Sequence, residues 1–431
     1  MTSVRIRPSP LEGTVSAQPS KSMAHRAIIC AALSDGESRI DNIVLSDDIA
    51  ATIGAIRSLG AEAVLEDSER YAGRKKIIIS STGMADIKEN VIDCLESGST
   101  ARFIMPITRL SAKPVTFTGH GRLVERPFTV YAELFKKHGA AYRDNCGRMP
   151  ITVSGRLLPG EYSLPGDISS QFVSGLLFVL PLLEGPSTIR IANQVESLPY
   201  IRMTLDVLRD FGIGITADPN GRCFEIPGGQ SYRAVPHYTV EGDWSQAAFF
   251  CVMGAIGQNI ALTGLKLDSV QGDRVVLDIL RKMGAKILIN AEGITFEKSI
   301  LTGIDIDVSQ CPDLVPAIAV AAALAEGTTH IRNAARLRIK ESDRLAAISR
   351  ALRVLGADIT EEPDGLIIQG VPDFSGGHES GSGDHRIVMA LAAASAACKE
   401  AIEIEDSDAV KKSYPGFWED FKLLGGRIES I

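Results

Sequence analysis

Leu280–Ala285 reads LRKMGA, and close copies of that phrase recur along the whole chain. They are IRSLGA at Ile56–Ala61, FKKHGA at Phe135–Ala140, LRDFGI at Leu208–Ile213, LRVLGA at Leu352–Ala357 and FKLLGG at Phe421–Gly426. The six glycines, Gly60, Gly139, Gly212, Gly284, Gly356 and Gly425, lie 79, 73, 72, 72 and 69 residues apart. So regular a spacing marks a repeated supersecondary unit. The phrase itself describes a helix end. Basic side chains in the last turn complement the helix dipole, and glycine takes the left-handed position just past it. A short strand follows, as in AKILIN from Ala285 or ADIT from Ala357.

Each unit also holds an earlier helix rich in Ala and Leu that runs into a turn and a strand. Examples are HRAIICAALSDGESRIDNI, VAAALAEGTTHIRNA and MALAAASAACKEAIEIED. The unit reads strand–helix–strand–helix–strand, and six of them fill the 431 residues. One hydrophobic core rarely grows past about 250–300 residues, so six units imply two lobes of three. No Pro/Gly/Ser-rich linker separates them. The junction is therefore short, with His237–Asp243 as the candidate hinge after the third unit.

Composition narrows the function. With 45% hydrophobic and 23% charged residues the chain is globular, not disordered. A net charge of −8 argues against a basic face for nucleic acid. It leaves room for a small anionic substrate, because a cleft can be basic in an acidic protein. The longest apolar stretches, Phe172–Leu183 and Leu314–Ala325, fall short of the roughly 20 residues that span a bilayer. The opening MTSVRIRPSPLEG lacks the apolar core of a secretory signal. Seven scattered cysteines without a C-x-x-C pair read as small, mostly buried thiols of a reducing compartment. The histidines show no zinc-binding spacing, so no metal is expected. These points predict a cytoplasmic protein with no membrane partner.

Several segments set cations, hydroxyls and glycine beside helix starts. In Pro19–Arg26, Ser20 or Ser22 can cap a helix flanked by Lys21 and Arg26, which suits an oxyanion. In Glu96–Arg102, Ser97, Ser99 and Thr100 surround Gly98, where backbone N–H groups can approach an anion. Gly121–Pro127 carries Arg122 and Arg126 four residues apart, on one face if helical. Ser169, Ser170 and Gln171 precede the apolar run from Phe172 and suit a polyhydroxylated ligand. In Arg336–Arg344, Lys340 and Arg344 would share a helical face, and the cations favour ionised Glu341. His385 and Arg386 sit at the cap of another Ala-rich helix; Asp313 in CPDLVP and Lys412 in KKSYP complete the set. Each segment alone reads equally as a capped or salt-bridged surface. Pooled, they indicate a site for two anionic groups or two anionic substrates.

The phrases SKSMAHRA, ESGSTARF, GRLVERP, DISSQF, SLPYIRMTL, EGDWSQAA, QGD, CPDLVP, LRIKESDRLAA, GDHRIVMALA and KKSYPGFWEDF stand in the order of a known family. From Lys21 to Trp418 the chain resembles the 5-enolpyruvylshikimate-3-phosphate (EPSP) synthases. The resemblance implies an α/β (α+β) fold: a two-lobed inside-out α/β barrel of six βαβαββ repeats, three per lobe. Residues 1–19 plus 241–431 would form the phosphoenolpyruvate-side lobe and 20–240 the shikimate 3-phosphate-side lobe. It also implies a monomeric transferase without cofactor or metal, acting on phosphoenolpyruvate and shikimate 3-phosphate in the shikimate pathway. Glyphosate, a phosphonate anion, competes with phosphoenolpyruvate in this family.

Carried over by motif, Lys21, Ser22, Arg26, Ser169, Ser170, Gln171, Ser197, Asp313 and Lys340 would hold shikimate 3-phosphate. Lys21, Gly98, Arg122, Gln171, Arg344, Arg386 and Lys412 would hold phosphoenolpyruvate. Asp313, Glu341 and Lys21 would be catalytic, Asp313 taking the 5-hydroxyl proton and Glu341 handling the methylene proton. Glu96, where asparagine is common, Arg336 and Leu198 depart from the family pattern, and Lys411 competes with Lys412 for one match. A sister branch transfers enolpyruvyl to UDP-N-acetylglucosamine and typically has a cysteine in the loop matching Thr116–Arg122; TFTGHGR has none. A non-catalytic sensor of phosphorylated ligands would need the cations but not the Asp313 and Glu341 pair.

Overall fold

The structure is a computed structural model and describes residues 2–83 and 86–431. The chain divides into two compact units, Met1–Ser20 with Glu241–Ile431, and Lys21–Val240. Ser20 falls in the first unit, where its N–H donates to the Glu241 carbonyl at 2.7 Å.

The six repeat glycines all adopt left-handed backbone, with φ between +83° at Gly139 and +97° at Gly284. The Gly284 N–H donates to the Arg281 carbonyl at 3.0 Å and the Ala285 N–H to the Leu280 carbonyl at 2.9 Å. This paired closure satisfies carbonyls that the helix end would otherwise leave orphaned. The same pair forms at Gly60, Gly212, Gly356 and Gly425.

One unit shows the topology. Strand Asp305–Asp307 is parallel to Thr328–Arg332, which is antiparallel to Gly365–Gln369, itself antiparallel to Asp358–Glu362. Helix Val315–Ala323 joins the first two strands and helix Arg344–Val354 leads into the closing hairpin. That is a βαβαββ unit, and all six sheets repeat its order. Three units complete themselves with distant strands. Val4–Arg7 pairs with Ile402–Glu405 and Arg427–Ser430, so the chain start closes the last sheet. Gly13–Ser16 runs parallel to Ile260–Thr263. Tyr232–Arg233 and Tyr238–Thr239 run parallel to Ser34–Ile43.

The Ala-rich helices lie inside. Trp244–Ile256, Val315–Ala323 and His385–Ala394 are buried along their whole length and pack on one another. A helix apolar all round must be covered on every side, and the sheets do so: Ile260 and Leu262 are buried on one strand face. The second helices bury one stripe only. In Arg344–Val354, Leu345, Ile348 and Leu352 face inward while Arg350 and Arg353 are exposed. All seven thiols are free, and Cys30, Cys94, Cys251 and Cys311 are buried. Among the described residues no helix is long and apolar enough to cross a membrane, and no side-chain group could hold a metal ion.

Candidate active site

In the first unit the candidate residues gather around Asp313. It sits in a single helical turn, Pro312–Leu314, directly before the buried helix Val315–Ala323. Arg344 Nη1 donates to its Oδ1 at 2.8 Å and Arg386 Nη2 to its Oδ2 at 3.1 Å. Arg386 Nη1 also reaches the Asp313 carbonyl at 3.1 Å, and Lys340 Nζ lies 3.4 Å from Oδ1. Arg344 Nη2 donates to Glu341 Oε2 at 2.7 Å, which brings the second carboxylate to the same guanidinium. Lys412 Nζ donates to the Gly383 carbonyl at 2.8 Å, beside Asp384. Lys411 instead pairs with Asp408 on the surface. The structure thus separates the two lysines that the sequence leaves in competition.

Burial works to raise the Asp313 carboxyl, but Arg386, Lys340 and Arg344 outweigh it and hold it well below its ordinary value. Burial pushes the Lys340 ammonium down, and Arg344 and Arg336 push the same way against Asp313 and Glu341. Burial works against the Arg344 cation too, yet Asp384, Glu341 and Asp313 raise it above its ordinary value.

Two local readings change here. Lys340 and Arg344 do not share a helix: Lys340 is extended, Asp343 caps the next helix by accepting from the Ala346 N–H, and Arg344 is its first residue. They meet through Asp313 rather than through helical spacing. Nor do His385 and Arg386 cap their helix. Asp384 does, accepting from the Arg386 N–H at 3.0 Å. Arg336, set aside as a departure, donates to the Ser309 carbonyl at 2.7 Å.

The second unit holds the remaining candidates. Lys21 opens the helix Lys21–Leu33 and forms an ion pair with Asp48. Arg26 donates to the Ser22 carbonyl at 2.7 Å, to Thr204 Oγ1 at 2.8 Å and to the Tyr200 carbonyl at 2.9 Å. Burial lowers this guanidinium to about 10, so it stays a cation at neutral pH. Its contacts tie it to the helix Leu198–Asp210, which follows Ser197, buried and left-handed at φ +53°. Ser169 caps the helix Ser170–Val179 by accepting from the Gln171 N–H. Gln171 Oε1 accepts from Arg102 Nη1 at 2.8 Å while its Nε2 donates to Ser99 Oγ at 2.8 Å.

Gly98 is the first residue of the helix Gly98–Ile107, capped by Ser97. A Cβ there would lie 2.6 Å from Arg126 Nη1 and 2.9 Å from Arg102 Nη1. Two guanidinium groups therefore face this glycine, and neither belongs to Arg122. The 3₁₀ helix Gly121–Glu125 leaves Arg122 exposed, and the chain is extended at Arg126 (φ −69°, ψ 140°). Arg122 and Arg126 thus share no helical face. Neither arginine is assigned to a ligand by the motif match, yet both have a sequence signal. Pro127 drives Arg126 out of the helical region, and Arg102 lies one turn past Gly98 on the same face. Glu96 lies against Gly121, which is left-handed at φ +52°: a Cβ there would sit 2.6 Å from Glu96 Oε2, so the Glu96 side chain would have to shift.

The chain thus holds six βαβαββ sheets and, in its first unit, two arginines and one lysine that converge on the Asp313 carboxylate. The family model described as EPSP synthase (3-phosphoshikimate 1-carboxyvinyltransferase) matches residues 6–421, and the chain belongs to that family. It is 48% identical to the 3-phosphoshikimate 1-carboxyvinyltransferase of Clostridium kluyveri, over 100% of this chain and 99% of that one. The enzyme of the same name from Clostridium perfringens (strain ATCC 13124) is 49% identical over the full length of both chains. Among solved structures, EPSP synthase from Acinetobacter baumannii superposes with a TM-score of 0.82 at 27% identity, covering 100% of each chain.

Proposed function

We propose that this chain transfers the enolpyruvyl group of phosphoenolpyruvate to the 5-hydroxyl of shikimate 3-phosphate. The products are 5-enolpyruvylshikimate 3-phosphate and phosphate, on the route to chorismate and the aromatic amino acids. Family membership supports the reaction, and the Asp313 carboxylate shared by Arg344 and Arg386 is the observation that carries the chemistry.

In the addition step the 5-hydroxyl oxygen bonds to C2, its proton leaves to a base, and C3 gains a proton. In the elimination step C3 returns a proton, the C2–O bond to phosphate breaks, and the C2–C3 double bond re-forms. Asp313 is the base for the hydroxyl. Glu341, with Lys21, serves the C3 proton. In the free protein Asp313 is a weak base, because three cations stabilise its ionised form. Ligand phosphates and carboxylates would draw Arg344, Arg386 and Lys340 toward themselves, which raises the basicity of Asp313 when both substrates are present. The phosphoenolpyruvate ligands are Lys21, Gly98, Arg122, Gln171, Arg344, Arg386 and Lys412, with Arg126 as a further cation beside Gly98. Shikimate 3-phosphate takes Lys21, Ser22, Arg26, Ser169, Ser170, Gln171, Ser197, Asp313 and Lys340. The same reading makes the protein a cytoplasmic monomer in which glyphosate competes at the phosphoenolpyruvate ligands.

A phosphate-release assay with phosphoenolpyruvate and one acceptor at a time tests the reading. Release with shikimate 3-phosphate and none with UDP-N-acetylglucosamine is the expected result. Release with the nucleotide sugar alone, or with neither, would overturn it.

A further inference from the structure

A chain of hydrogen bonds runs through the second unit and includes no residue assigned above to a substrate. His25 Nδ1 lies 2.7 Å from Thr52 Oγ1, Thr52 Oγ1 lies 2.7 Å from Thr100 Oγ1, and Thr100 Oγ1 donates to Ser97 Oγ at 2.8 Å. All four side chains are buried. The direction of the last bond sets the others. The Thr100 hydroxyl spends its proton on Ser97, so it accepts from Thr52, and Thr52 in turn accepts from His25 Nδ1–H. That assigns the Nδ1–H tautomer, and His25 Nε2 accordingly has no hydrogen-bond partner among the described residues. Burial, reinforced by Lys21 and Arg26, holds the imidazole well below its ordinary pKa, so the ring stays neutral.

Two of the three helices joined by this chain begin at assigned ligands, Lys21 and Gly98, and the third carries Asp48. His25 lies one turn past Lys21 in Lys21–Leu33. Thr52 lies one turn past Asp48, the ion-pair partner of Lys21, in Asp47–Ser58. Ser97 and Thr100 flank Gly98, and Ser97 also accepts from the Thr100 N–H as the helix cap. We propose that His25 is a positioning residue for phosphoenolpyruvate, setting the Ser97–Gly98 helix start against Lys21 through Thr52 and Thr100. This rests on the assignment of Lys21 and Gly98 to that substrate. Arg26, the anchor assigned to shikimate 3-phosphate, is held separately by Thr204 and Tyr200. Lys21 serves both substrates but Gly98 phosphoenolpyruvate alone, so breaking the relay weakens phosphoenolpyruvate far more than shikimate 3-phosphate.

The test uses the full chain and two ways of cutting the relay, His25→Leu and the isosteric Thr52→Val. Each has a restoring partner: His25→Asn offers an amide N–H near the Nδ1 position, and Thr52→Ser keeps the hydroxyl. A small misplacement of binding groups is costly, so the cutting variants should raise KM for phosphoenolpyruvate roughly ten-fold. Calorimetric Kd for shikimate 3-phosphate should stay within about two-fold, and the restoring variants should lie near the parent. Nitrogen-15 NMR of the His25 ring should show protonation at Nδ1 alone. Should His25→Leu fail to fold, Thr52→Val carries the measurement. An unchanged KM in Thr52→Val, a parallel loss of both substrates, restoring variants that behave like cutting ones, or an Nε2–H tautomer would each overturn the relay. A parent that releases no phosphate from phosphoenolpyruvate and shikimate 3-phosphate overturns the functional reading and the substrate assignment with it. An active parent with an unchanged KM in Thr52→Val overturns the relay alone.

Discussion

Arg344 and Asp384 form a fully buried ion pair, Nε to Oδ2 at 2.8 Å, with side chains 2% and 0% exposed. The same carboxylate accepts from Ser342 Oγ at 2.9 Å and from the Arg386 N–H at 3.0 Å. One side chain thus caps the helix that carries Arg386 and holds the guanidinium that reaches Asp313. Removing one partner of a buried pair leaves an uncompensated charge and costs about 3–5 kcal/mol. Asp384→Ala should destabilise the protein on that scale. Asp384→Asn, which keeps an acceptor for the cap, should cost less. Urea denaturation of the three proteins checks this, and equal losses for both variants would remove the cap from the account.

Asp313→Asn should lower turnover by roughly 10²–10⁴, the usual scale for a positioned base, with the far-UV circular dichroism unchanged. Steady-state phosphate release measures it. Turnover within a few-fold of the parent would take Asp313 out of the proton transfer.

The same carboxylate shapes acid stability. Burial works to raise it, yet Arg386, Lys340 and Arg344 keep it well below the 3.8 of an ordinary aspartate. Between those two values the unfolded chain binds the proton and the folded one does not, so stability falls as pH falls. The contribution is complete above the ordinary value and disappears as pH drops through the depressed one. Thermal melts from pH 5 downward should therefore show a steeper acid loss for the parent than for Asp313→Asn. Parallel curves would mean that the cations do not stabilise this group.

Arg126→Ala should raise KM for phosphoenolpyruvate by about ten-fold or more, because a hydrogen bond to a charged group contributes about 1.5–3 kcal/mol. Arg122→Ala should raise it by a smaller factor, since its side chain starts from an exposed position in high dielectric. A larger effect at Arg122 than at Arg126 would reverse the assignment.

Gly98→Ala should raise the inhibition constant for glyphosate by a larger factor than it raises KM for phosphoenolpyruvate. The new methyl group must displace the Arg126 guanidinium, 2.6 Å away, and the longer ligand has less room to follow it. Inhibition kinetics on parent and variant decide it; equal factors would place Gly98 away from the extra length of the inhibitor.

Local chemistry was readable in full where a few consecutive residues suffice. The closure at Gly284 involves only Leu280 through Ala285, so basic residues followed by glycine announce a helix end wherever they occur. The all-apolar runs before each turn likewise declare buried helices, because no solvent-facing stripe is present. From these alone follow the six units and their order; the members of the candidate site came from the segments at helix starts and from the family resemblance. Three things lay beyond that reach. Val4–Arg7 closes a sheet with residues near 402 and 427, a pairing of edges that no local pattern encodes. Arg126 rather than Arg122 faces Gly98, because the turn ahead of Pro127 aims one side chain inward and leaves the other exposed. Lys340, Arg344 and Arg386 share the Asp313 carboxylate although they stand 27, 31 and 73 residues from it. The sequence by itself determined which groups stand at helix starts, since capping and dipole effects act within one turn. Which of them meet at one carboxylate, and how far its proton affinity moves, was decided only by the packing of helices from successive units, because burial and Coulomb interaction depend on distances through space.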